Sequence, residues 1–265
     1  MSRLLSFSIM AIIGFLAQFI DGTLGMGYGA FSASLLITAG ILPAIASATV
    51  HTAECFTTLF SGGSHLFFGN VKKEWLIPLV IPGVIGGALG AYFLASLPGE
   101  EMMPYMAGIL LALGIIVFYR FLRAKVPPDN NAGAPVANQN QKTSLRKLVP
   151  LGFTAAFVDA MGGGGWGPIA TPGLILTEDI EPRKVVGTVN LAEFFITIAI
   201  TVTFIATIGP ELFRWDLVIA LLIGGIIAAP IAAYLCRRLP HRILGILVGV
   251  VLIGFNLRTI LAVIL

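Results

Sequence analysis

Long apolar runs separated by short polar breaks dominate this chain. The runs cover residues 4–42, 44–68, 76–97 and 102–121, then 148–176, 185–208, 217–236 and 243–265. Roughly 20 apolar residues are enough for a helix to cross the hydrocarbon core of a bilayer. Each run therefore predicts membrane helix, and the first of each set predicts more than one helix. As one straight helix, residues 4–42 would measure roughly 60 Å at about 1.5 Å per residue, against a core of about 30 Å. The break falls at glycine: Gly22, Gly25, Gly27 and Gly29 in the first set, and Gly162 to Gly165 with Gly167 in the second. Two short helices joined by a glycine loop follow, as a broken crossing or a re-entrant hairpin. Such backbone is tolerated in a membrane where it is buried in protein or lines a wet cavity.

Between the two sets lies KVPPDNNAGAPVANQNQK, rich in Pro, Asn, Gln and Gly and without apolar periodicity. It reads as a flexible, solvated linker. The chain thus divides into a membrane repeat at 1–124, a linker at 125–145 and a second repeat at 146–265. The repeats resemble each other. GFLAQFIDGTLGMGYGAF from Gly14 aligns with GFTAAFVDAMGGGGWGPI from Gly152, and TVHTAECF from Thr49 with TVNLAEFF from Thr188. Asp21 then meets Asp159, Glu54 meets Glu193, and His51 meets Asn190. Internal repeats are a common build for secondary transporters.

Composition agrees and narrows the class. The chain is 57% hydrophobic and 11% charged, with mean hydropathy +0.96, where soluble domains sit near 45–50% and about 25%. The charge is too sparse to wrap a soluble core. The net charge of +3 is not gathered into a stripe interleaved with aromatics, which argues against nucleic acid. Cys55 and Cys236 form no CxxC and give no support to zinc or redox chemistry. The N-terminal run lacks a small-x-small cleavage site and reads as retained. Basic residues help with topology. If each first segment is a hairpin, the halves are inverted and only Arg3, Arg214 and Arg258 lie outside. The positive-inside rule favours that arrangement. The fold class is therefore all-α, a polytopic helical membrane protein of two four-segment repeats, read as inverted.

The glycine clusters suggest chemistry. Unwound backbone frees N–H groups, and the half-helix that follows points its positive end at the loop, which favours an anion. Close helix packing is the other use of small residues, and it accounts for Gly83, Gly86, Gly87 and Gly90. It does not account for GGGGWG, because consecutive glycines offer no packing surface and weaken a helix by about 1 kcal/mol each. The substrate-binding candidates are Gly25, Gly27, Tyr28 and Gly29, then Gly163, Gly164, Gly165 and Trp166. The Thr49 and Thr188 hydroxyls join them, since both repeats place one before the Glu.

Asp21 and Asp159 sit just before the clusters, either as functional carboxylates, which membranes make costly, or as caps of the broken helix. Glu54 and Glu193 have no cation at i±3 or i±4; His51 lies one turn before the first, Asn190 before the second. These six residues form the gating or proton-coupling candidates. The other reading of the glutamates is a neutral, hydrogen-bonded tie between helices. His65 reads as interfacial near a segment end, and Trp75 and Trp215 as interfacial anchors. HExxH, GxSxG with a partner His, and GxxxxGK[ST] are all missing. No catalytic residue, metal site or cofactor is expected.

With GMGYGAF, GGGGWGPIATPGLIL and TVNLAEFF in view, the chain resembles the TauE/SafE sulfite-exporter family, bacterial permeases for sulfite, sulfonates and related small anions. The resemblance covers nearly the whole chain. The second glycine motif is complete from Gly162, whereas in the first, from Gly22, Ala30 and Ser34 replace the prolines. The resemblance implies a multi-pass anion carrier of the plasma membrane. It leaves open which anion is carried, in which direction, and whether both repeats bind equally. A coupling proton or sodium ion and a homo-oligomer are compatible with it. The rival reading is a cation channel or cation-coupled carrier using the intramembrane carboxylates. A third is a structural membrane subunit.

Overall fold

The computed structural model describes residues 6–123, 145–177, 181–236, 238 and 241–264. The expected linker lies outside the described residues as far as Leu145, which opens a helix. Regular structure in the described residues is helical: α1 Phe7–Leu24, α2 Tyr28–Thr38, α3 Pro43–Phe67, α4 Leu76–Ala95, α5 Gly99–Arg123, α6 Leu145–Gly162, α7 Trp166–Thr177, α8 Pro182–Ile208, α9 Trp215–Leu235 and α10 His241–Ile264. Six stretches, corresponding to α1, α4, α5, α8, α9 and α10, are long and apolar enough to cross a bilayer. The protein is an all-helical multi-pass membrane protein.

Both first segments break at glycine. α1 ends at Gly25, φ 69°, whose N–H donates to Asp21 O at 2.6 Å, and Gly27, φ 129°, precedes α2. α6 gives way to α7 through Gly163, φ 70°, with Gly164 N–H donating to Asp159 O at 3.1 Å. A left-handed residue carries no Cβ penalty only when it is glycine. The chain can therefore reverse inside the protein without a polar turn.

It does reverse. α1, α3 and α9 run parallel: Gly14 lies against Leu221, Gly22 against Ala232, Thr57 against Gly225, and Asn70 bonds Ala233 O. α2 comes back. Tyr28 adjoins the Thr57–Gly225 contact, Gly163 meets both Ala33 and Ser47, and Leu42 leads straight into α3. In the other half α4 and α6 run parallel, with Gly86 on Phe153 and Gly90 on Phe157. α7 then returns toward Pro182. Each broken segment is a hairpin opening to its own end of the bundle. Lys72, Arg183 and Arg242 collect at one end, while Arg214 pairs with Asp216 at the other.

Packing in this bundle relies on close backbone approach. A Cβ on Gly14 would sit 2.2 Å from Leu221 O, and one on Gly152 2.5 Å from Leu79 O. Small residues are what let membrane helices come this near, since lipid supplies no hydrophobic drive between them. Ile77, Ile81, Ile85 and Leu89 expose one face of α4, and Ile219, Ile223, Ile227 and Ile231 one face of α9. Asp21, Glu54 and Asp159 are each 1% exposed. Apolar outside and ionisable inside is the pattern a bilayer imposes. One expectation fails: Trp75 is buried in the core rather than anchoring at an interface, while Trp215 is half exposed. Trp75 turns inward because the backbone before α4 bonds α8, Lys72 N–H to the Thr188 hydroxyl at 2.8 Å.

Candidate functional site

The two glycine loops meet. A Cβ on Gly164 would lie 1.8 Å from Ala30 N, one on Gly29 2.8 Å from Gly164 Cα, and one on Gly167 2.5 Å from Met26 Cα. The loops touch backbone to backbone, which no larger residue at Gly164 would permit. Glu54 Oε1 lies 2.9 Å from the Cβ position of Gly29. The Thr171 hydroxyl on α7 donates to Gly25 O at 2.5 Å, tying one loop to the half-helix of the other.

Each loop carries an aspartate that reaches past it to the next helix. Asp159 Oδ1 receives the Gly165 N–H at 2.6 Å and the Trp166 N–H at 3.0 Å. Those are free amides at the start of α7, where a helix favours negative charge. Asp21 faces the Tyr28 amide at the start of α2. Asp159 thus bonds the free amides of α7 as a cap does. The second partners of the two aspartates differ. Asp159 Oδ2 lies 3.1 Å from His51 Nε2, whereas Asp21 is approached by the Asn190 side chain. His51 Nδ1 donates to Ser47 O at 2.8 Å, and Glu54 Oε2 is 3.8 Å from His51 Nε2. Asn190 Oδ1 accepts the Ser61 hydroxyl at 2.5 Å.

α3 organises this centre. Ser47, His51, Glu54, Thr58, Ser61 and His65 recur at alternating spacings of four and three, which places them on one face of a helix, and all are buried. At the far end, His65 Nε2 donates to Gly22 O at 2.9 Å and Nδ1 accepts from Asn70 Nδ2 at 3.2 Å. Arg183 reaches Asn70 Oδ1 at 3.4 Å. His65 is therefore a buried tie to loop one, correcting its interfacial reading; the glycine loop needs a donor for Gly22 O, and α3 supplies it. Ser47, Ser61, Asn70 and Thr171 are not singled out by the sequence. The polar stripe along α3 was the signal that could have found the two serines.

Thr49 and Thr188 differ from expectation. Thr49 Oγ1 donates to Ile45 O at 2.6 Å and accepts Arg214 N–H at 3.3 Å; Thr188 Oγ1 donates to Lys184 O at 2.6 Å and accepts Lys72 N–H. Neither hydroxyl bonds a glycine loop. Each back-bonds its own helix, as hydroxyls in membrane helices do, and holds the chain leading to α4 or α9. The Trp166 indole donates to Val189 O at 3.1 Å and is buried as a wall of the site. Glu193 faces Asp21, Glu54 and Asp159 from α8. Asp21 Oδ2, Glu54 Oε2, the Tyr28 hydroxyl and Thr57 Oγ1 are buried without a hydrogen-bond partner among the described residues. No group of three or more His, Cys, Asp and Glu in those residues has the arrangement of a metal site.

A family model described as Sulfite exporter TauE/SafE matches residues 10–259. The probable membrane transporter protein YtnM of Bacillus subtilis (strain 168) is 49% identical over 253 residues, spanning 96% of this chain and 82% of YtnM. The probable membrane transporter protein YjnA of the same organism is 25% identical over 256 residues, spanning 94% of this chain and 98% of YjnA. No solved structure matches the chain.

Proposed function

The chain belongs to the TauE/SafE sulfite exporter family and is a membrane transporter rather than an enzyme, and we propose that it carries a small sulfur oxyanion, sulfite or a sulfonate. The anion would bind where the glycine loops meet, on amides of Gly25 to Gly29 and Gly163 to Trp166. The observation that carries this reading is the pair of α7 amides converging on one carboxylate oxygen. A sulfonate oxygen asks for the same donors. Buried hydroxyls of Tyr28 and Thr57 add hydrogen-bonding capacity beside the loops. The halves are read as inverted repeats, which the reciprocal packing of α1 on α9 and α6 on α4 supports. The basic end is then cytoplasmic.

Counterflow in proteoliposomes tests the reading with radiolabelled sulfite, thiosulfate and methanesulfonate. Exchange above protein-free vesicles is expected for at least one probe, and its loss in a Gly164→Ala variant that still inserts. No exchange with any probe removes the reading. The unpartnered Asp21 and Glu54 oxygens favour a second one, a cation carrier. That carrier would give carboxylate-dependent cation flux with no anion present.

A further inference from the structure

The α7 amides already hold an oxyanion, the Asp159 carboxylate, at 2.6 and 3.0 Å. That carboxylate also faces His51 Nε2 at 3.1 Å. The imidazole is pinned from its other side, Nδ1 donating to Ser47 O at 2.8 Å, while the Ser47 hydroxyl, 3.2 Å from Nδ1, gives its own hydrogen to Ala160 O at 2.8 Å. A carbonyl oxygen only accepts, so Nδ1 carries a hydrogen and the contact between Nε2 and Oδ2 requires another. The pair thus shares a proton, either as imidazolium and carboxylate or as imidazole and carboxylic acid.

We infer that Asp159 is a built-in stand-in for the transported anion, and that proton transfer from His51 to Asp159 releases the Gly165 and Trp166 amides to it, so that anion and proton cross together. This rests on the anion-carrier reading and adds the coupling ion and the pair that binds it. In the step, the N–H bond at His51 Nε2 breaks and an O–H bond forms at Asp159 Oδ2. The neutral acid holds amides more weakly, because charge-assisted hydrogen bonds are roughly twice as strong as neutral ones. A second proton, from water on the loading side, restores the Nε2–H. The empty pair, imidazolium with carboxylate, is neutral. The loaded assembly of imidazolium, carboxylic acid and singly charged anion is neutral too.

An anion arriving without that proton would leave an uncompensated charge in a desolvated site, which is expensive. The surroundings make it worse. Glu54 on α3, Asp21 on α1 and Glu193 on α8 all face Asp159, and Tyr28 on α2 faces Glu54 and Asp21. Glu54 Oε2, buried, unpartnered and 3.8 Å from Nε2, is placed to pass the second proton. The other loop has Asn190 in the matching position, and an amide neither takes up nor releases a proton at neutral pH. Coupling is therefore one-sided.

The test uses the full chain in proteoliposomes with methanesulfonate or ethanesulfonate, whichever exchanges faster. Both stay singly charged across the neutral range, so a proton that moves is bound by protein. Counterflow without a pH gradient reads anion exchange, and a trapped pH dye reads protons when an inward anion gradient is imposed. The wild type is expected to exchange anion and acidify the lumen. His51→Asn leaves Asp159 ionised on the α7 amides and is expected to slow exchange and acidification together by about a hundredfold. Wild-type anion influx without acidification overturns the inference and spares the anion reading, and this needs no variant to fold. Acidification by His51→Asn at the wild-type rate overturns it as well. No exchange with either probe removes the carrier reading and the coupling together.

Discussion

α3 and α8 are matched by sequence and lie against each other at the centre, yet their inward faces differ. Along α3 the stripe reads Ser47, His51, Glu54, Thr58, Ser61, His65; at matching positions α8 has Val186, Asn190, Glu193, Thr197, Ile200 and Phe204. All twelve are buried. α8 keeps polar groups only at the level of the loops, whereas α3 carries them from one loop to the other. Both histidines of the comparison sit on α3. The bundle therefore offers similar cradles on two loops, but titratable imidazole on one side only. Related backbones do not imply equal roles, and a coupling function resides in whichever half keeps the group that can hold a proton.

The largest expected effect comes from disturbing the loop contact itself. Gly164→Ala drives a methyl to 1.8 Å from Ala30 N; counterflow should vanish. Gly27→Ala on the other loop meets Ile20 at 3.3 Å but sits at φ 129°, so backbone strain of about 1–3 kcal/mol is its main cost. Thermal unfolding of the two variants should rank them in that order. Equal effects would mean that the loops contribute alike.

Next comes the aspartate pair. Asp159→Asn removes the acceptor that faces His51, while Asp21→Asn leaves a group opposite an amide. Dye-detected acidification should fall by about a hundredfold in the first and by much less in the second. His65→Phe, which copies the residue at the α8 position, strands Gly22 O; about 1–3 kcal/mol of stability should be lost, measurable by thermal shift. The smallest effects belong to the peripheral hydroxyls. Thr49→Val and Thr188→Val should each cost roughly 1 kcal/mol and leave counterflow near wild type. A selective loss of anion affinity in either would return these hydroxyls to the binding site.

The broken segments were legible because a helix has a fixed rise and glycine a distinctive backbone freedom: a 4–42 run cannot be straight, and Gly25 and Gly163 adopt the left-handed turn. The aspartates and glutamates stood out because charge at depth is rare. What the pattern could not show was which of them touch. His51 meets Asp159 across 108 residues of sequence, and no local spacing encodes that contact. Thr49 looked like a ligand from its place before Glu54, but its rotamer belongs to Ile45 O and the Arg214 amide. Trp75 and Trp215 occupy equivalent helix starts, and only packing separates the buried one from the exposed one. The α3 stripe was present in the sequence as a four–three spacing of polar residues, a periodicity more often sought among apolar ones.

The most direct measurement of the central claim is the charge moved per transport event, recorded as transient current from proteoliposomes on a solid-supported membrane after a methanesulfonate jump. One proton travelling with one singly charged anion moves no net charge. The wild type should show no sustained current beyond that of protein-free vesicles while radiolabelled methanesulfonate enters the same preparation. A sustained inward-negative current accompanying that uptake in the wild type would contradict the account.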